Sequence, residues 1–274
     1  GNIPGSALAI GDFDNTLTIE VNNGMGRIYT QMFTVRVIDL SLEVFRFSEN
    51  SVYSETNKPV LEAIVSNIDG RVNAKVDGKT ILTNGIPNGA NIATVFDDAD
   101  FNKVNLHGVH TLEVWATVTK DYLKENEDGT SSIEQILITT DTLKYTYIYG
   151  TSDAKPIVMA NIANKNPEEY TNFNVGYIAY KYNDTNNTVK DNIVVELYEY
   201  KGTNDDGTYI IDRKRRLDSI PQEVSFDAIT KSTTGYVTFS LFPKTITLDN
   251  GNKETINLRG DFVIVIRVGE GENA

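Results

Sequence analysis

The stretch HTLEVWATVTKDYL, residues 110–123, alternates apolar and polar side chains over most of its length. Side chains of a β-strand point alternately to opposite faces, so its apolar members share one face of an extended chain. They are Leu112, Val114, Ala116 and Val118. The pattern predicts a half-buried strand in which Trp115, the single tryptophan, points away from the apolar face.

Similar runs, rich in Val, Ile, Thr, Tyr and Phe, recur along the chain and predict many short strands. They lie at 16–21, 32–47, 60–67, 70–82, 142–150, 173–182, 192–201, 208–217, 235–242 and 261–269. Turn sequences separate them at VDGK (76–79), NDDGT (204–208) and LDNGN (248–252). Asp-Gly readily supplies the positive φ pair of a tight hairpin turn. Because no long segment has the apolar spacing of an amphipathic helix, the sequence predicts an all-β sandwich or barrel with very little helix.

The predicted domain boundary is YGTSDAKP, residues 149–156, which is small and polar and ends at a proline that cannot donate a ladder hydrogen bond. Residues 40–150 and 151–274 each contain about seven predicted strands, the number in an immunoglobulin-like sandwich. Residues 1–39 are predicted to be strands that either end a preceding module or extend the next one. The predicted fold is therefore a series of tandem immunoglobulin-like β-sandwich modules.

Composition restricts the partners and the chemistry. The chain has 274 residues and a net charge of −13, so nucleic-acid backbones and anionic membranes would repel it. It has no cysteine, which excludes disulfides, thiolate metal sites and thiol catalysis. No apolar run approaches the roughly 20 residues that a membrane helix needs. We expect neither a nucleic-acid partner nor insertion into a membrane.

Several segments resemble the tandem immunoglobulin-like modules of large surface and virion proteins from gut Bacteroidales and their phages. In those modules a Gly-x-His-x-Leu-x-Val-x-Ala strand is followed by a Thr/Ser-(Asn/Asp)-x-Leu-x-Tyr strand that runs directly into the next module. The matching segments are GVHTLEVWATVT (108–119), TDTLKYTYIYGTSDAKPIVMANI (140–162), YTNFNVGYIAYKYND (170–184), IIDRKRRLDSIPQEVSF (210–226) and NTLTIEVNNGMGRIYTQMFTVRVIDL (15–40).

The resemblance implies a non-enzymatic protein located outside the cell or on a virion surface. Its modules would act as spacers in a phage tail or fibre or in a bacterial surface protein, presenting a host- or glycan-binding domain. Expected partners are other modules or subunits of that assembly, together with host glycans. The alternative is a carbohydrate-binding module that uses exposed aromatic side chains, for which Trp115, Tyr177 and Tyr180, with Tyr182 nearby, are the candidate ligand-binding residues.

One motif suggests an enzyme. Asp12, Asp14 and Thr16 follow an apolar run, as in the opening motif of haloacid-dehalogenase-like phosphotransferases. That chemistry needs a parallel sheet flanked by helices, and the sequence continues from Thr16 as a strand. We therefore expect no catalytic residues and interpret the motif as a turn that leads into a strand.

Metal and cofactor sites are not expected. His107 and His110, the two histidines, would point to opposite faces of a strand unless Gly108 kinks it. We predict that His110 caps its loop or packs against it. The acidic segments 97–100 and 183–192 offer oxygen ligands but do not fit a twelve-residue calcium loop, so calcium is the one cation left open.

Two charged motifs also have structural interpretations. The tripeptide Arg259-Gly260-Asp261 matches an integrin-recognition sequence, but Gly260 is also a natural start for the last strand. The basic cluster at 213–216 is expected to alternate across a strand, with Glu196 and Glu199 as cross-strand partners.

The last expectations concern packing. The predicted core residues are Leu112, Val114, Val118, Ile193, Val195, Leu197, Phe239, Val263 and Val265. Residues 1–39 are too few to form a core alone and are expected to pack on the next module through Phe33, Val35 and Val37. Deletion of residues 1–31 is then expected to lower stability by a few kcal/mol, as for a handful of buried side chains.

Overall fold

The chain is all-β, as predicted. The computed structural model describes residues 14–86, 92–94, 106–125, 130–152, 155–162, 172–240, 243–248, 250–256 and 261–269, with the backbone alone at 14–15, 33–36, 92–94, 123, 125, 162 and 244. Within these ranges the one helical element is a single 3-10 turn, Arg213–Arg215. No described stretch forms a helix with the length and apolarity needed to cross a bilayer.

The strands in the described ranges are, in chain order, β1 (Asp14–Asn22), β2 (Ile28–Arg36), β3 (Leu42–Phe45), β4 (Ser51–Ser54), β5 (Glu62–Val65), β6 (Arg71–Val76), β7 (Lys79–Gly85), β8 (Ile92–Thr94), β9 (Gly108–Glu125), β10 (Ser131–Thr139), β11 (Leu143–Gly150), β12 (Ile157–Ile162), β13 (Asn172–Tyr180), β14 (Val189–Glu199), β15 (Asp218–Phe226), β16 (Ser232–Ser240), β17 (Lys244–Thr247), β18 (Lys253–Ile256) and β19 (Phe262–Val268). The sheet orders are β1-β2, β3-β5-β8, β4-β11-β9-β6-β7 with β10 on β9, β12-β13-β16, β15-β14-β19 and β17-β18.

The chain divides into two compact units that are interleaved along the sequence. Unit 1 comprises Gly1–Arg46, Leu61–Asp97 and Glu113–Leu143. Unit 2 comprises Phe47–Val60, Asp98–Leu112 and Lys144–Ala274. The domain limits expected from the sequence remain a prediction.

Unit 1 contains the antiparallel β1–β2 hairpin, with register from Asp14↔Arg36 to Asn22↔Ile28. It also contains the β6–β7 hairpin, whose turn residues Asp77 and Gly78 have φ of 49° and 75°. This is the turn that the Asp-Gly sequence predicts, because both central residues take positive φ. The fully buried apolar side chains of unit 1 include Ala63, Val65, Val72, Ala74, Val76, Val114, Ala116 and Val118.

Unit 2 contains a β-sandwich in which the sheets β12-β13-β16 and β15-β14-β19 enclose one core. The first, second and fifth strands form one sheet, and the third strand is flanked by the fourth and the last in the other. This distribution is consistent with an immunoglobulin-like sandwich. The core residues are Phe173, Val175, Tyr177, Ala179, Ile193, Val195, Leu197, Leu217, Phe226, Val237, Phe239, Ile246, Ile256 and Val268.

Eight of the nine predicted core residues are buried, and Val265 is half-buried. Leu112, Val114, Val118, Ile193, Val195, Leu197 and Phe239 are buried. On β19, however, Phe262, Ile264 and Ile266 pack against the sandwich core, so Val263 and Val265 lie on the other face. Val263 is buried and Val265 half-buried there, and Tyr209 and Ile211 line a common cavity with them. Because both faces of β19 are covered, alternation alone could not identify the inner one.

Two of the predicted strands differ from the structure. The run 32–47 is divided between β2 and β3. The run 208–217 is not a strand: the Asp212 side chain accepts a hydrogen bond from the Lys214 amide at 3.0 Å and caps the 3-10 turn. A capping carboxylate offers the backbone an alternative to the sheet ladder, so the expected alternation of the basic cluster at 213–216 does not form.

The strands predicted within residues 1–39 pair with each other as the β1–β2 hairpin. The side chains described at 18–32 are exposed and Leu17 is half-buried. Val37 is half-buried, whereas the side chains of Phe33 and Val35 lie outside the described residues.

Candidate functional site

Trp115 lies on the face of β9 opposite the buried apolar residues, as predicted, and it is half-buried. The Lys75 ammonium lies over its ring, with Nζ 5.4 Å from the ring centroid. Such a cation is attracted by the negative face of the indole. One face of the Trp115 ring is therefore occupied by a side chain of β6.

Tyr177 is buried, so the expectation that its side chain is exposed is wrong. Its hydroxyl donates to Gln222 Oε1 at 2.7 Å, and Gln222 Nε2 donates to the Tyr236 carbonyl at 3.1 Å. A Cβ on Gly235 would come within 2.6 Å of Tyr177 Cζ, so the glycine makes room for the ring. Burial raises the pKa of the Tyr177 hydroxyl. This side chain bridges the two sheets at one edge of the sandwich.

Tyr180 is also buried, which corrects the second expectation of an exposed aromatic. Its hydroxyl donates to the Thr151 carbonyl at 3.0 Å. Burial, assisted by the negative charge of Glu55, raises the pKa of Tyr180 to about 12. The ring occupies the space that a side chain at position 150 would need, because a Cβ on Gly150 would overlap it.

His107 holds the same segment from another side. Its Nε2 lies 2.8 Å from the Lys155 carbonyl, and its Nδ1 lies 3.1 Å from the Thr151 amide. A carbonyl only accepts and an amide N–H only donates, so the two partners select the tautomer protonated at Nε2. The imidazole thus clamps both ends of the connection between β11 and β12.

We call His107, Gly150, Thr151, Lys155 and Tyr180, all in unit 2, the junction. An apolar cluster accompanies it, formed by Ile148, Ile157, Met159 and Tyr180 with Val52 and Ile178. The sequence marked this segment as a boundary, but the partners of Thr151 are 44 and 29 residues away. The neighbouring sequence therefore could not predict these hydrogen bonds.

His110 is buried and packs against its own loop, as predicted. Its Nε2 donates to the Leu106 carbonyl at 2.6 Å, and its ring lies 5.4 Å from the ring of Tyr147. Because the two histidines bond to different segments, they do not converge on one metal position. Among the described residues, no three His, Cys, Asp or Glu side chains form a metal-binding group.

Glu196 is the most buried charged side chain described in unit 2. Its Oε1 accepts from Arg216 at 2.7 Å and from Arg267 at 2.9 Å, and its Oε2 accepts from the Tyr198 hydroxyl at 3.1 Å. Burial alone would raise the pKa of this carboxyl, but the two guanidinium groups reverse the effect and lower it. The predicted role of Glu196 as a partner of the basic cluster is confirmed.

The other expected partner of the basic cluster, Glu199, instead pairs with Lys201 at 2.6 Å. Arg215 pairs with Glu254 at 3.0 Å. The partners differ from the predicted ones because residues 213–215 form a 3-10 turn instead of a strand, and the turn directs their side chains elsewhere.

Lysine ammonium groups bind three oxygens of the loop at 183–192, where calcium was considered. Lys231 Nζ donates to Asn183 Oδ1 at 3.0 Å and to the Thr185 carbonyl, and Lys181 pairs with Asp191. The geometry therefore does not favour calcium in this loop. The second acidic segment, 97–100, lies outside the described residues, as do Asp12, Arg259, Gly260 and the side chain of Asp14.

Comparisons with known proteins do not identify a family. No family model matches the chain, and no curated protein matches it. Among solved structures, a mutant of Salmonella alpha-2-macroglobulin aligns over 89% of this chain at 9% identity, with a TM-score of 0.18. This chain spans 18% of the length of that one. An alignment at that score identifies neither a fold family nor a function.

Proposed function

We propose that this chain is a non-enzymatic structural and adhesion protein, built from immunoglobulin-like spacer modules. It would belong to a phage virion, in a tail or fibre, or to a bacterial cell-surface protein, and would present a host- or glycan-binding domain. The observation that carries the proposal is the junction, in which the side chains of His107 and Tyr180 hold the connection between β11 and β12.

A spacer must keep what it carries at a set position, so the connections between its sheets should have little conformational freedom. The connection at 151–156 is short, and hydrogen bonds at Thr151 and Lys155 restrict both of its ends. The buried ring of Tyr180 and the apolar cluster beside it oppose bending, because bending would separate packed side chains. These contacts support a stiff connection rather than a flexible linker.

Three of the described side chains that could perform chemistry, Glu196 and the two histidines, are held by structural partners. Glu196 bonds to two arginines and a tyrosine, and each histidine bonds to backbone carbonyl or amide groups. A catalytic group needs access to a substrate and a pKa matched to its task. The described geometry therefore favours a structural role for these groups.

Location and partners follow from the resemblance and the composition. We propose an extracellular or virion-surface location, with other modules or subunits of the same assembly as partners. An antibody raised against this chain should label intact particles or unpermeabilised cells of the source. Labelling that appears only after permeabilisation would contradict the proposal, as would hydrolysis of phosphate esters or glycosides that Asp12→Asn abolishes.

Hydrogen exchange tests the stiffness directly. The Thr151 amide should exchange slowly in the intact chain, and His107→Ala should speed its exchange about tenfold, the effect of losing roughly one hydrogen bond. Ser152→Ala is the matched control, because Ser152 is an exposed residue of the same segment. Fast exchange at Thr151 in the unmodified chain would show a flexible linker and would remove the main support for a spacer.

A further inference from the structure

The outer face of the β12-β13-β16 sheet differs from the rest of the surface because its described side chains are uncharged. The sandwich core takes Phe173, Val175, Val237 and Phe239 from this sheet, so the residues that alternate with them point outward. The outward residues of this part of the sheet are Asn161, Asn172, Asn174, Thr234, Tyr236, Thr238 and Ser240, which are exposed, and Gly176, which is half-buried. We call these eight residues the amide-hydroxyl face.

Strand register places the members of this face in rows. Asn161, Gly176 and Tyr236 form one row across the three strands. Neighbouring strands lie about 4.8 Å apart, so the amide and the aromatic ring flank a strip about one strand wide. Gly176 has no side chain, and nothing projects from that strip. On one side, the next two rows pair Asn174 with Thr238 and Asn172 with Ser240; on the other side, the next row pairs Ile178 with Thr234.

Tyr236 is the exposed aromatic side chain of this face, with 67% of its surface accessible. Its backbone carbonyl accepts from Gln222, which holds the strand while leaving the side chain outside. Large aromatic side chains favour burial. An exposed tyrosine beside a bare glycine position and a set of amides is therefore a feature that the fold itself does not require.

The opposite sheet shows that the absence of charge is local. The outer face of β15-β14-β19 carries the Lys190–Glu223 pair and the Arg267–Glu196 pair. Both sheets belong to one sandwich in a chain of net charge −13. The amide-hydroxyl face consequently offers donors and acceptors in pairs, with one apolar ring and no ionic group among its eight residues. Glu223 lines a cavity beside Tyr236, but its charge is paired with Lys190.

We propose that the amide-hydroxyl face binds a neutral oligosaccharide, with Tyr236 as the stacking platform. The C–H face of a pyranose ring is apolar and packs on an aromatic ring, while its hydroxyl groups both donate and accept. Asn side chains also do both, and Thr and Ser hydroxyls rotate to suit. A sulfated or carboxylated sugar would leave its charge without a counter-charge on this face.

The experiment measures binding of the intact chain to an array of neutral and anionic oligosaccharides, followed by calorimetric titration with each neutral sugar that binds. We expect saturable binding of at least one neutral oligosaccharide. Tyr236→Ala should weaken it about tenfold or more, the effect of one lost ring contact, without changing the melting temperature. Tyr236→Phe should retain most of the affinity, because the ring remains.

Tyr209→Ala is the matched control, since Tyr209 is 64% exposed and does not belong to this face; its affinity should be unchanged. The proposal is overturned by absence of binding across the array, by binding of anionic sugars alone, or by a Tyr236→Ala variant of full affinity. Self-association of the chain that Tyr236→Ala abolishes would also overturn it, because a second copy would then cover the face. None of these outcomes depends on the junction, so the spacer proposal is tested separately.

Discussion

The β1–β2 hairpin of unit 1 and the strand β14 of unit 2 alternate in the same way but meet different environments. Ile19 and Val21 on β1 are 45% and 56% exposed, whereas Ile193 and Val195 on β14 are fully buried. By register, Val21 is opposite Tyr29, which is exposed as well. Alternation determines which residues share a face, but burial requires a second sheet over that face. Of these two elements, only β14 has such a sheet in the described residues.

The energetic consequence is large. Burial of a Val or Ile side chain contributes roughly 1.5–3 kcal/mol, and an isolated two-stranded hairpin is marginal in water. The strand β14 is stabilised by neighbours on both edges, β15 and β19, and by the core on its inner face. The hairpin has the ladder between its own two strands. Substitutions should therefore have very different effects in the two regions.

The largest effect is expected from the core. Phe239 is fully buried and stacks on Phe173, with ring centroids 5.3 Å apart. Phe239→Ala should lower the free energy of unfolding by about 3–5 kcal/mol, while Met32→Ala on the exposed hairpin should change it by less than about 0.5 kcal/mol. Urea denaturation measures both. Equal losses would mean that the hairpin is as well packed as the sandwich.

Glu196→Gln should have the next largest effect. The substitution leaves two guanidinium groups beside a neutral amide, which we expect to cost about 2–3 kcal/mol, less than for a fully buried pair because Arg216 is half-exposed and can be solvated. Glu254→Gln is the control, since its pair with Arg215 is partly exposed and should contribute about 0–1 kcal/mol.

The Glu196→Gln substitution should also change how the free energy of unfolding depends on pH in acid. Because the folded state lowers the pKa of Glu196, the stabilisation is present above the unfolded value of about 4.3 and is lost as the pH falls through the folded value. Unfolding followed from pH 6 to pH 2 should be less steep for Glu196→Gln than for the unmodified chain. Parallel curves would show that other carboxylates determine acid unfolding.

Gly150→Ala tests the junction by filling space. The added methyl overlaps the Tyr180 ring, and overpacking of this kind costs about 1–3 kcal/mol. In a Tyr180→Ala background the same substitution should cost much less, because the two sites share one volume. Thermal unfolding of the four members of the cycle measures the coupling, and additive losses would mean that the ring and the glycine are independent.

Alkaline titration should show a smaller effect at the same place. Since the folded state raises the pKa of Tyr180 to about 12, its contribution is complete below the unfolded value of about 10 and is lost as the pH rises through 12. Absorbance of tyrosinate should therefore include a late component that Tyr180→Phe removes. The variant should lose about 1 kcal/mol at neutral pH, the contribution of one hydrogen bond.

Deletion of residues 1–31 should have the smallest effect. The sequence suggested a loss of a few kcal/mol, but the side chains described at 18–31 are exposed, so their removal exposes little that was covered. We expect the free energy of unfolding to change by less than about 0.5 kcal/mol. A larger loss in urea denaturation would show that the hairpin packs on the rest of the chain in solution.

Many strand positions, the Asp-Gly turn at 76–79 and most inner faces could be predicted because period-two alternation and Asp-Gly turns act over a few residues. The strand β15 was missed because Pro221 interrupts its pattern. An edge strand tolerates proline, since half of its N–H groups face away from the ladder. The strand predicted at 208–217 was wrong because the Asp212 carboxylate caps a 3-10 turn there, although the sequence alternates as a strand would.

The candidate site was harder to predict than the fold. Tyr177 and Tyr180 occur in an aromatic-rich strand, and nothing local shows that Gln222 or Thr151 will bury their hydroxyls. Tyr236 lies in the predicted strand 235–242, and no residue near it in the sequence indicates a binding role. It became notable only through its row with Gly176 and Asn161, which are distant in sequence and adjacent in the sheet.

The parallel pairing of β4 with β11 has a consequence for biosynthesis. Ser51–Ser54 pair with Tyr147–Gly150, and the nearby bond from the Thr146 amide to Glu49 spans 97 residues. A ribosome must therefore synthesise most of a module before this ladder can close. Until then the rings of Phe47 and Tyr53 lack Tyr147, the partner that each contacts in the finished protein. Loop closure over such a distance is slow, so the nascent chain carries these aromatic side chains in the open for most of the module's translation, which is the period when a chaperone would recognise them.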